Sequence, residues 1–485
     1  MDSKMSPELG EAVSFGGGYI PPELGEALSF GGGYSLLVKG EPGTGKTMLA
    51  FEILNKFGGK KAFYLSSRVS LPAIYGQFPW VKERVDSGDI TVVDATKLFI
   101  SARAFPRPRS FSDLLEAKLV EAEAEAEQPA TLVFDSWEGV TSEEKKERVD
   151  ALEAAIMDMI RHYATEYKMN LILISERTEI TPLDYLVDGI VELSRITVDY
   201  RRARELLLKK LRGVPIRQYK YGFTLDGGRF SAFAPFERRK VDKPRRVEVV
   251  PNTPTHISTG VVEIDRILGG GLSRGSSALV EYGDDLSLLG YHSIVAHMVI
   301  NNIQQGIHVV KIPSSGWDER RLRKGILPFV KEEDYLKYLT VFEIRKEQEK
   351  EERENVKVLP GISLSEDFQV FTDFISQLTP PVMAIIGLDW LEYQYRIKAG
   401  GLEEALETFA YWIMDLMAAG NIGVFSVPCG SALGVGLGHM MTNRFNLTVL
   451  DRSVLFYCNR PDTRLHCLEN VITETTLKLQ LTPFV

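Results

Sequence analysis

The chain has 485 residues, of which 44% are hydrophobic and 25% are charged. This composition excludes a collagen-like or wholly disordered chain, and the length predicts two or three domains. The formal net charge of −9 argues against a protein whose main role is to coat nucleic acid or an anionic membrane.

The three cysteines, Cys429, Cys458 and Cys467, form no C-x-x-C pair. Neither a structural zinc site nor a secreted disulfide framework is therefore expected. The first residues lack the apolar segment of a signal peptide, and no apolar run is long enough to span a bilayer. We expect a soluble cytoplasmic protein that does not bind membranes.

A tandem repeat lies near the start of the chain. Pro7–Tyr19 reads PELGEAVSFGGGY, and Pro22–Tyr34 reads PELGEALSFGGGY. The repeat is too short to stack as a solenoid, so it predicts a local duplication in which only the second copy joins the first domain. A glycine hinge, or an arm that docks on a neighbouring subunit, is the alternative. Residues 1–20 are assigned to this duplicated arm.

Residues 21–235 alternate between β-rich runs and stretches with helical periodicity. Apolar strands separated by helices predict an α/β domain with a mostly parallel sheet covered on both faces. The predicted strands are Ser35–Lys39, Ala62–Leu65, Thr91–Val93, Thr131–Phe134, Leu171–Ile174, Gly189–Leu193 and Leu206–Leu211. The predicted helices are Thr47–Phe57, Phe111–Glu127 and Glu144–Tyr167.

A complete G-x-x-x-x-G-K-T motif follows the first strand. The glycines allow backbone N–H groups to turn towards phosphate oxygens, and the next helix adds its positive N-terminus. Lys46 is expected to reach the β- and γ-phosphates of ATP, and the Thr47 hydroxyl to bind Mg²⁺. The residues assigned to nucleotide binding are Gly40, Glu41, Pro42, Gly43, Thr44, Gly45, Lys46, Thr47 and Met48.

A carboxylate to complete the magnesium site is expected at the end of a later buried strand. Asp135 follows the four β-favouring residues Thr131–Phe134. An aspartate in this position is often only a turn residue, but together with the phosphate loop it predicts a Walker-B role.

The second half of the chain repeats the strand and helix alternation. Residues 236–254 are basic and contain prolines, which predicts a linker, and residues 255–485 form a second α/β domain. The expected strands are Ala278–Glu281, Ile307–Ile312, Leu339–Phe342, Val382–Ile386 and Ile422–Val427.

Several segments together resemble the RecA superfamily, in particular its KaiC-like and RadA-like branch. They are the phosphate loop with Asp135-Ser136, then Asp188–Val191, Lys209–Gly213, Ser258–Asp265 and Leu268–Leu272. The resemblance covers nearly all of residues 20–485 and implies two tandem RecA-like domains that bind ATP and Mg²⁺. Tandem domains with one intact phosphate loop are also similar to the archaeal gas-vesicle regulators of the GvpD type.

The second domain departs from the family at its phosphate loop. The chain reads Glu281–Gly290 there, without Gly-Lys-Thr, and Asp284 and Asp285 would repel a polyphosphate. Asp389 is expected to mark the former Walker-B position. A degenerate second domain that binds no nucleotide is predicted.

The first domain departs from the family at a catalytic position. Related enzymes carry a water-polarising glutamate after the second strand, where this chain has Ser66-Ser67-Arg68. A serine cannot act as a base at neutral pH. Glu138 or Glu176 could substitute, or could be ordinary surface carboxylates. We expect ATP binding with slow hydrolysis.

In the resembled family, a K-x-R pair reaches across a subunit interface to a neighbour's γ-phosphate. Lys210 and Arg212 match that pair and could act together, because alternate strand residues face the same way. The resemblance thus implies a homo-oligomer, a ring or a dimer, with a trans-acting finger. A basic, solvent-exposed edge strand is the alternative.

Residues 200–246 concentrate positive charge in an acidic chain, with Tyr200, Tyr219 and Tyr221 interleaved. An acidic protein partner, single-stranded nucleic acid or a solvated face would each fit, and nucleic acid is not favoured. Three functions remain open: an ATP-dependent regulatory switch, a DNA-handling ATPase of the RecA/RadA type, and a scaffold that uses ATP structurally. The basic residues between 200 and 220 are Arg201, Arg202, Arg204, Lys209, Lys210, Arg212, Arg217 and Lys220.

Overall fold

The protein is described by a computed structural model that divides the chain into two compact units. The first unit comprises Met1–Ala234 with Phe484–Val485, and the second comprises Pro235–Pro483. The structure describes residues 18–29, 33–58, 62–94, 131–136, 168–237, 241–283, 286, 288–344, 353–395, 397 and 401–485. The predicted helices Phe111–Glu127 and Glu144–Tyr167, most of the first repeat copy and Glu138 lie outside these ranges.

In the described residues the first unit combines strands and helices up to β6 and ends in antiparallel strands from β6 to β9. Its strands are β1 (Ser35–Lys39), β2 (Ala62–Ser66), β3 (Ile90–Asp94), β4 (Thr131–Asp135), β5 (Asn170–Ser175), β6 (Gly189–Val198), β7 (Arg201–Leu211), β8 (Lys220–Thr224) and β9 (Ser231–Ala232). Its described helices are α1 (Pro22–Leu28), α2 (Lys46–Phe57), α3 (Leu71–Gln77), α4 (Pro79–Asp86) and α5 (Pro182–Leu186).

These strands form one sheet in the order β3-β2-β4-β5-β1-β6-β7-β8-β9. The strands from β3 to β6 pair in parallel, and β6 to β9 pair antiparallel. Strands β1, β2 and β5 are buried along their whole length, because helices cover a parallel sheet on both faces. The predicted mixed α/β fold with a mostly parallel sheet is confirmed.

Both repeat copies contact the first unit. The second copy forms α1, whose Leu24 and Leu28 are buried in the core. At the end of the first copy, the Tyr19 carbonyl accepts a hydrogen bond of 2.8 Å from the Ala232 N–H. Of the first copy only Gly18 and Tyr19 lie within the described ranges, so the expectation that the second copy alone joins the domain stays a prediction.

The second unit consists of a larger sheet with helices on both of its faces. Its strands are β10 (His256–Ile257), β11 (Leu272–Ser273), β12 (Ser276–Tyr282), β13 (His308–Ile312), β14 (Leu339–Ile344), β15 (Val356–Leu359), β16 (Val382–Gly387), β17 (Ile422–Pro428), β18 (Asn443–Leu450), β19 (Ser453–Arg460), β20 (His466–Ile472) and β21 (Leu477–Pro483). Its described helices are α6 (Val262–Ile267), α7 (Leu288–Ile303), α8 (Glu319–Ile326), α9 (Glu332–Tyr338), α10 (Leu364–Ser376), α11 (Leu388–Gln394), α12 (Leu402–Ala418) and α13 (Ala432–Gly438).

The main sheet of the second unit runs β15-β14-β13-β16-β17-β12-β18-β19-β20-β21. Its connections follow the same order as those of the first sheet, with β12, β13 and β16 in the places of β1, β2 and β4. Side chains alternate between two cores, since Val309 packs in one hydrophobic cluster and Val310 in the other. Both faces of the sheet are thus covered.

The segment predicted to be a linker lies in the second unit. The Phe236, Lys243 and Arg245 N–H groups donate to the carbonyls of Arg452, Glu474 and Thr475. These backbone hydrogen bonds fix the segment along the unit despite its prolines and charges. In the part of the chain that the structure describes, no helix combines the length and apolarity needed to cross a membrane.

Candidate functional site

The phosphate loop joins the buried end of β1 to the start of α2. Gly40, Gly43 and Gly45 have φ angles of 151°, 77° and 106°, which favour glycine. A Cβ on Gly40 would lie 2.4 Å from the Leu193 carbonyl oxygen, so no other residue fits there without movement. The sequence folds locally into a glycine-dependent turn that precedes a helix N-terminus.

Lys46, the first residue of α2, is buried inside this turn. Its Nζ donates to the carbonyls of Gly40 at 2.6 Å and Glu41 at 2.9 Å. The Thr44 hydroxyl also donates to the Glu41 carbonyl, at 2.9 Å. The lysine therefore spans the loop from within, which is where an ammonium group can meet phosphate oxygens.

Thr47 and Asp135, the two predicted magnesium ligands, lie side by side. The Thr47 hydroxyl donates to Asp135 Oδ2 at 2.6 Å, and the Tyr64 hydroxyl donates to the same oxygen. Burial raises the pKa of the Asp135 carboxyl, while these hydrogen bonds and the charge of Lys46 oppose that rise. The parallel register of β2 and β4 places Asp135 beside Ser66, at the carboxyl ends of these two strands.

Two arginines form hydrogen bonds to the outer side of the loop. Neither of them was assigned to the site from the sequence alone. Arg195 on β6 and Arg204 on β7 are cross-strand partners. Arg195 contacts the Glu41 carboxylate and the Pro42 carbonyl, each at 3.3 Å. Arg204 donates to the carbonyls of Gly43 at 3.0 Å and Thr44 at 3.2 Å. The two arginines thus hold the Pro42, Gly43 and Thr44 carbonyls on the outside of the loop, an arrangement that lets neighbouring N–H groups face inwards.

The serines that replace the family glutamate are engaged in local hydrogen bonds. The Ser66 hydroxyl donates to the Val69 carbonyl at 2.6 Å, and the Ser67 hydroxyl donates to the Ser136 carbonyl at 2.9 Å. Glu176, one possible substitute, forms an ion pair of 2.6 Å with Arg68. Glu138, the other, lies outside the described residues.

Lys210 and Arg212 both contact groups of their own unit. Lys210 Nζ donates to the carbonyls of Asp184 and Val187, at 3.0 and 2.6 Å, and so caps the end of α5. Arg212 pairs with Asp188 at 3.0 Å. Both side chains therefore contact the segment from Asp184 to Asp188, and their joint role at a subunit interface stays a prediction.

Most of the predicted basic cluster has partners within the chain. Tyr221 is buried and donates to Glu23 at 2.7 Å, whereas Tyr200 is 97% exposed and Tyr219 is 61% exposed. Only the latter two could therefore stack on a ligand. The ion pairs are Arg201–Asp199, Lys209–Glu192, Arg212–Asp188, Arg217–Glu26 and Lys220–Glu205. Arg238, Arg239 and Lys240 lie outside the described residues.

The corresponding strand ends of the second unit contain aromatic and small polar side chains. Tyr282 ends β12 and stacks on Tyr291 of α7, with ring centroids 4.8 Å apart. The Tyr291 hydroxyl is fully buried against the hydroxyls of Ser314 and Ser426. Asp284 and Asp285 lie outside the described residues.

Asp389 does not occupy the place of Asp135. In the first unit Asp135 pairs with Ser66, the last residue of β2, whereas in the second unit Ile386 pairs with Ile312, the last residue of β13. Asp389 lies three residues further on, in α11, and accepts from the Ser315 N–H at 2.8 Å. The expectation that Asp389 marks the Walker-B position is therefore wrong.

A buried lysine lies near this edge of the second unit. Lys311, on β13, is fully buried, and among the described residues its Nζ has no hydrogen-bond partner. Burial lowers the pKa of Lys311 to about 7, and the charge of Asp389 opposes that change. Burial and the Lys311 charge lower the pKa of His292 to about 2, so this histidine is neutral at physiological pH.

Comparison with known proteins gives a family match over the first unit. Residues 28–210 match the family model described as "GvpD gas vesicle protein, P-loop domain". Protein GvpD2 of Halobacterium salinarum is 30% identical over 295 residues, which are 58% of this chain and 58% of that protein. Protein GvpD1 of the same organism is 28% identical over 317 residues, or 64% of this chain and 59% of that protein.

The chain thus spans less than three fifths of the length of each curated relative. The resemblance to a P-loop protein of the GvpD type is confirmed. A P-loop domain implies nucleotide binding.

Proposed function

We propose that the first unit binds ATP with Mg²⁺ at Gly40–Thr47 and that the protein is a GvpD-like regulator controlled by this binding. One observation carries the proposal. The Thr47 hydroxyl lies 2.6 Å from the Asp135 carboxylate, directly beside the loop that holds Lys46. A hydroxyl and a carboxylate are the hard oxygen groups that suit Mg²⁺ next to a phosphate.

In this proposal each part of the loop has one task. The inward N–H groups and the α2 N-terminus bind phosphate oxygens, and Lys46 exchanges its carbonyl partners for the β- and γ-phosphates. Thr47 and Asp135 hold Mg²⁺, which when bound neutralises phosphate charge. Met48, half-buried in the first turn of α2, packs against the hydrophobic core and so anchors the helix that follows the loop.

We further propose that the two units are tandem RecA-like domains, of which the second lost its nucleotide site. The nine strands of the first sheet follow the same order as nine of the ten strands of the second, in which β15 is an additional edge strand, and this supports a common plan. Two residues support the loss of the nucleotide site. Tyr282 lies where a glycine loop would begin, and Ile386 lies where the acidic residue of the site would be. The domain boundaries stay a prediction: an arm at residues 1–20, domains at 21–235 and 255–485, and a linker at 236–254.

The regulatory role is expected to combine slow hydrolysis with contacts to a protein partner. Ser66 and Ser67 are bonded to backbone carbonyls, which fits the lack of a water-polarising base. Exposed Tyr200 and Tyr219 make the 200–246 region the surface where we expect that partner. An oligomer with a trans-acting Lys210–Arg212 finger, and a cytoplasmic location, stay predictions.

DNA handling is the competing function, and the side chains of the basic cluster count against it. Five of its cations pair with carboxylates of the same chain, which leaves fewer charges for phosphates. Filter binding to single-stranded DNA at two salt concentrations separates the functions. Tight binding that weakens steeply with salt would favour DNA handling over the regulator.

Titration with labelled ATP in the presence of Mg²⁺ tests the proposal. Lys46→Ala is expected to abolish binding, whereas Lys56→Ala, which removes an exposed lysine from the last turn of the same helix, is expected to bind normally. An unchanged dissociation constant for Lys46→Ala would overturn the site assignment. Phosphate release is expected to stay well below the ~10 per second typical of enzymes.

A further inference from the structure

Tyr64 contacts the magnesium carboxylate although no sequence motif marks it. The Asp135 Oδ2 atom accepts hydrogen bonds from both the Thr47 and the Tyr64 hydroxyl. The Tyr64 side chain is only 1% exposed, so its hydroxyl needs a partner inside the protein. Two hydroxyl donors on one buried carboxylate oxygen hold that carboxylate in a single orientation.

The register of the sheet explains how Tyr64 reaches Asp135. Tyr64 on β2 pairs with Val133 on β4, and Ser66 pairs with Asp135. Alternate residues of a strand share a face, so Tyr64 and Asp135 lie on the same face as diagonal neighbours. A tyrosine is long enough to cover this diagonal, whereas a leucine or valine there could offer no donor.

The tyrosine ring is itself fixed by the helix that carries the phosphate-binding residues. Phe51 of α2 stacks on Tyr64 with ring centroids 4.3 Å apart and an interplanar angle of 23°. The same helix begins with Lys46 and Thr47. Helix α2 thus fixes the positions of Lys46 and Thr47 directly. Through Phe51 it also fixes the position of Tyr64, which holds the Asp135 carboxylate.

We infer that Tyr64 is a positioning residue that presets the Asp135 carboxylate for Mg²⁺ in the nucleotide complex. This inference rests on the proposed nucleotide site. Thr47 would be shared between Asp135 and the metal, whereas Tyr64 has no role as a ligand and can hold the carboxylate throughout. Mg²⁺ demands near-ideal octahedral geometry, so the orientation of its carboxylate partner affects affinity.

The Mg²⁺ dependence of ATP binding tests the inference. Tyr64→Phe keeps the ring and its stacking but removes the hydroxyl. It is expected to raise the Mg²⁺ concentration at half-saturation roughly tenfold, the cost typical of losing an outer partner of a metal ligand. Its ATP affinity in excess EDTA is expected to equal that of the wild type, because the loop and Lys46 are untouched.

Tyr221→Phe is the matched control. It also removes a buried hydroxyl that donates to a carboxylate in the first unit, here Glu23 at 2.7 Å. It is expected to lower the unfolding temperature without changing the Mg²⁺ half-saturation. Equal Mg²⁺ shifts for both variants would reduce Tyr64 to a structural role and overturn the inference.

A double-mutant cycle with Asp135→Asn tests whether Tyr64 acts through Asp135. Adding Tyr64→Phe to that variant is expected to change the Mg²⁺ half-saturation by less than about twofold, because the carboxylate is already gone. A full tenfold effect in the double variant would contradict the inference. Phe51→Leu, which keeps the hydroxyl but removes the stack, is expected to give a smaller shift in the same direction.

The outcomes separate this inference from the function on which it rests. Failure of the wild type to bind ATP overturns both. Normal Mg²⁺-dependent binding by the wild type, with an unchanged Tyr64→Phe variant, overturns the role of Tyr64 alone.

Discussion

The carboxyl ends of the central parallel strands are built from different chemistry in the two units. In the first unit, Lys39 at the end of β1 and Lys46 at the start of α2 each have defined polar partners. In the second unit, β12 ends in stacked tyrosines, and among the described residues Lys311 has no hydrogen-bond partner. The first edge, suited to a charged ligand, holds its lysines with polar partners. The second contains aromatic and small polar side chains beside a buried lysine whose amine has no hydrogen-bond partner among the described residues.

The same substitution at the buried lysines Lys39 and Lys311 should have opposite effects on stability. Lys39 Nζ lies 2.8 Å from Asp184, and the two side chains are 2% and 14% exposed. Lys39→Met leaves this carboxylate without its cation and is expected to destabilise the first unit by about 3–5 kcal/mol. Urea unfolding measures the loss, and hydrogen exchange of β1 assigns it. A loss below about 1 kcal/mol would mean that the pair behaves like a surface ion pair.

Lys311→Met is expected to stabilise the second unit by about 1–3 kcal/mol, because it removes a buried donor that has no partner. Methionine is unbranched and flexible, so it can follow the path of the lysine stem. The same unfolding measurement applies, with exchange followed in β13. Destabilisation comparable to that of Lys39→Met would show that the Lys311 amine has a partner in solution.

The buried lysine also predicts a pH dependence. Burial lowers the pKa of Lys311 to about 7 in the folded state, from 10.5. Between these values the unfolded chain binds more protons, so stability rises as the pH increases from 7 towards 10. The slope should reach at most about 1.4 kcal/mol per pH unit and should flatten in Lys311→Met. Equal slopes for wild type and variant between pH 7 and 9 would contradict this assignment.

The smallest effect is expected at Arg212. Its ion pair with Asp188 joins side chains that are 64% and 28% exposed, so Arg212→Ala should cost less than about 1 kcal/mol. Nucleotide binding should be unchanged. Phosphate release tests the trans-acting alternative: loss of activity in Arg212→Ala, restored by mixing with Lys46→Ala protein, would support a finger between subunits.

The sequence predicted those features that depend on local pattern. Fully apolar strands such as Leu36–Val38 mark a parallel sheet, and a glycine loop before a helix can be recognised from spacing alone. Asp135 was also predictable, because it ends a strand of four β-favouring residues. The phosphate loop, its lysine and the neighbouring carboxylate could therefore be predicted from the sequence alone.

The remaining features depend on register between distant strands. Arg195 and Arg204 meet the loop only because β6 and β7 pair at that position, and Tyr64 meets Asp135 only through the register of β2 and β4. Asp389 was misplaced for the same reason: the end of β16 was predicted to within one residue, but its register with β13, which pairs Ile386 with Ile312, could not be predicted from the sequence. A tyrosine in the apolar run Ala62–Leu65 was the one available signal, because a buried hydroxyl requires a partner.

The number of ATP molecules bound per chain tests the central claim most directly. Native mass determination of the full chain, with saturating ATP and Mg²⁺, counts them for each assembly present. One ATP per chain is predicted, because the first unit has the phosphate loop, Lys46 and the Thr47–Asp135 pair, whereas the sequence that follows β12 contains no Gly-Lys-Thr. Two ATP molecules per chain, or none, would contradict the account.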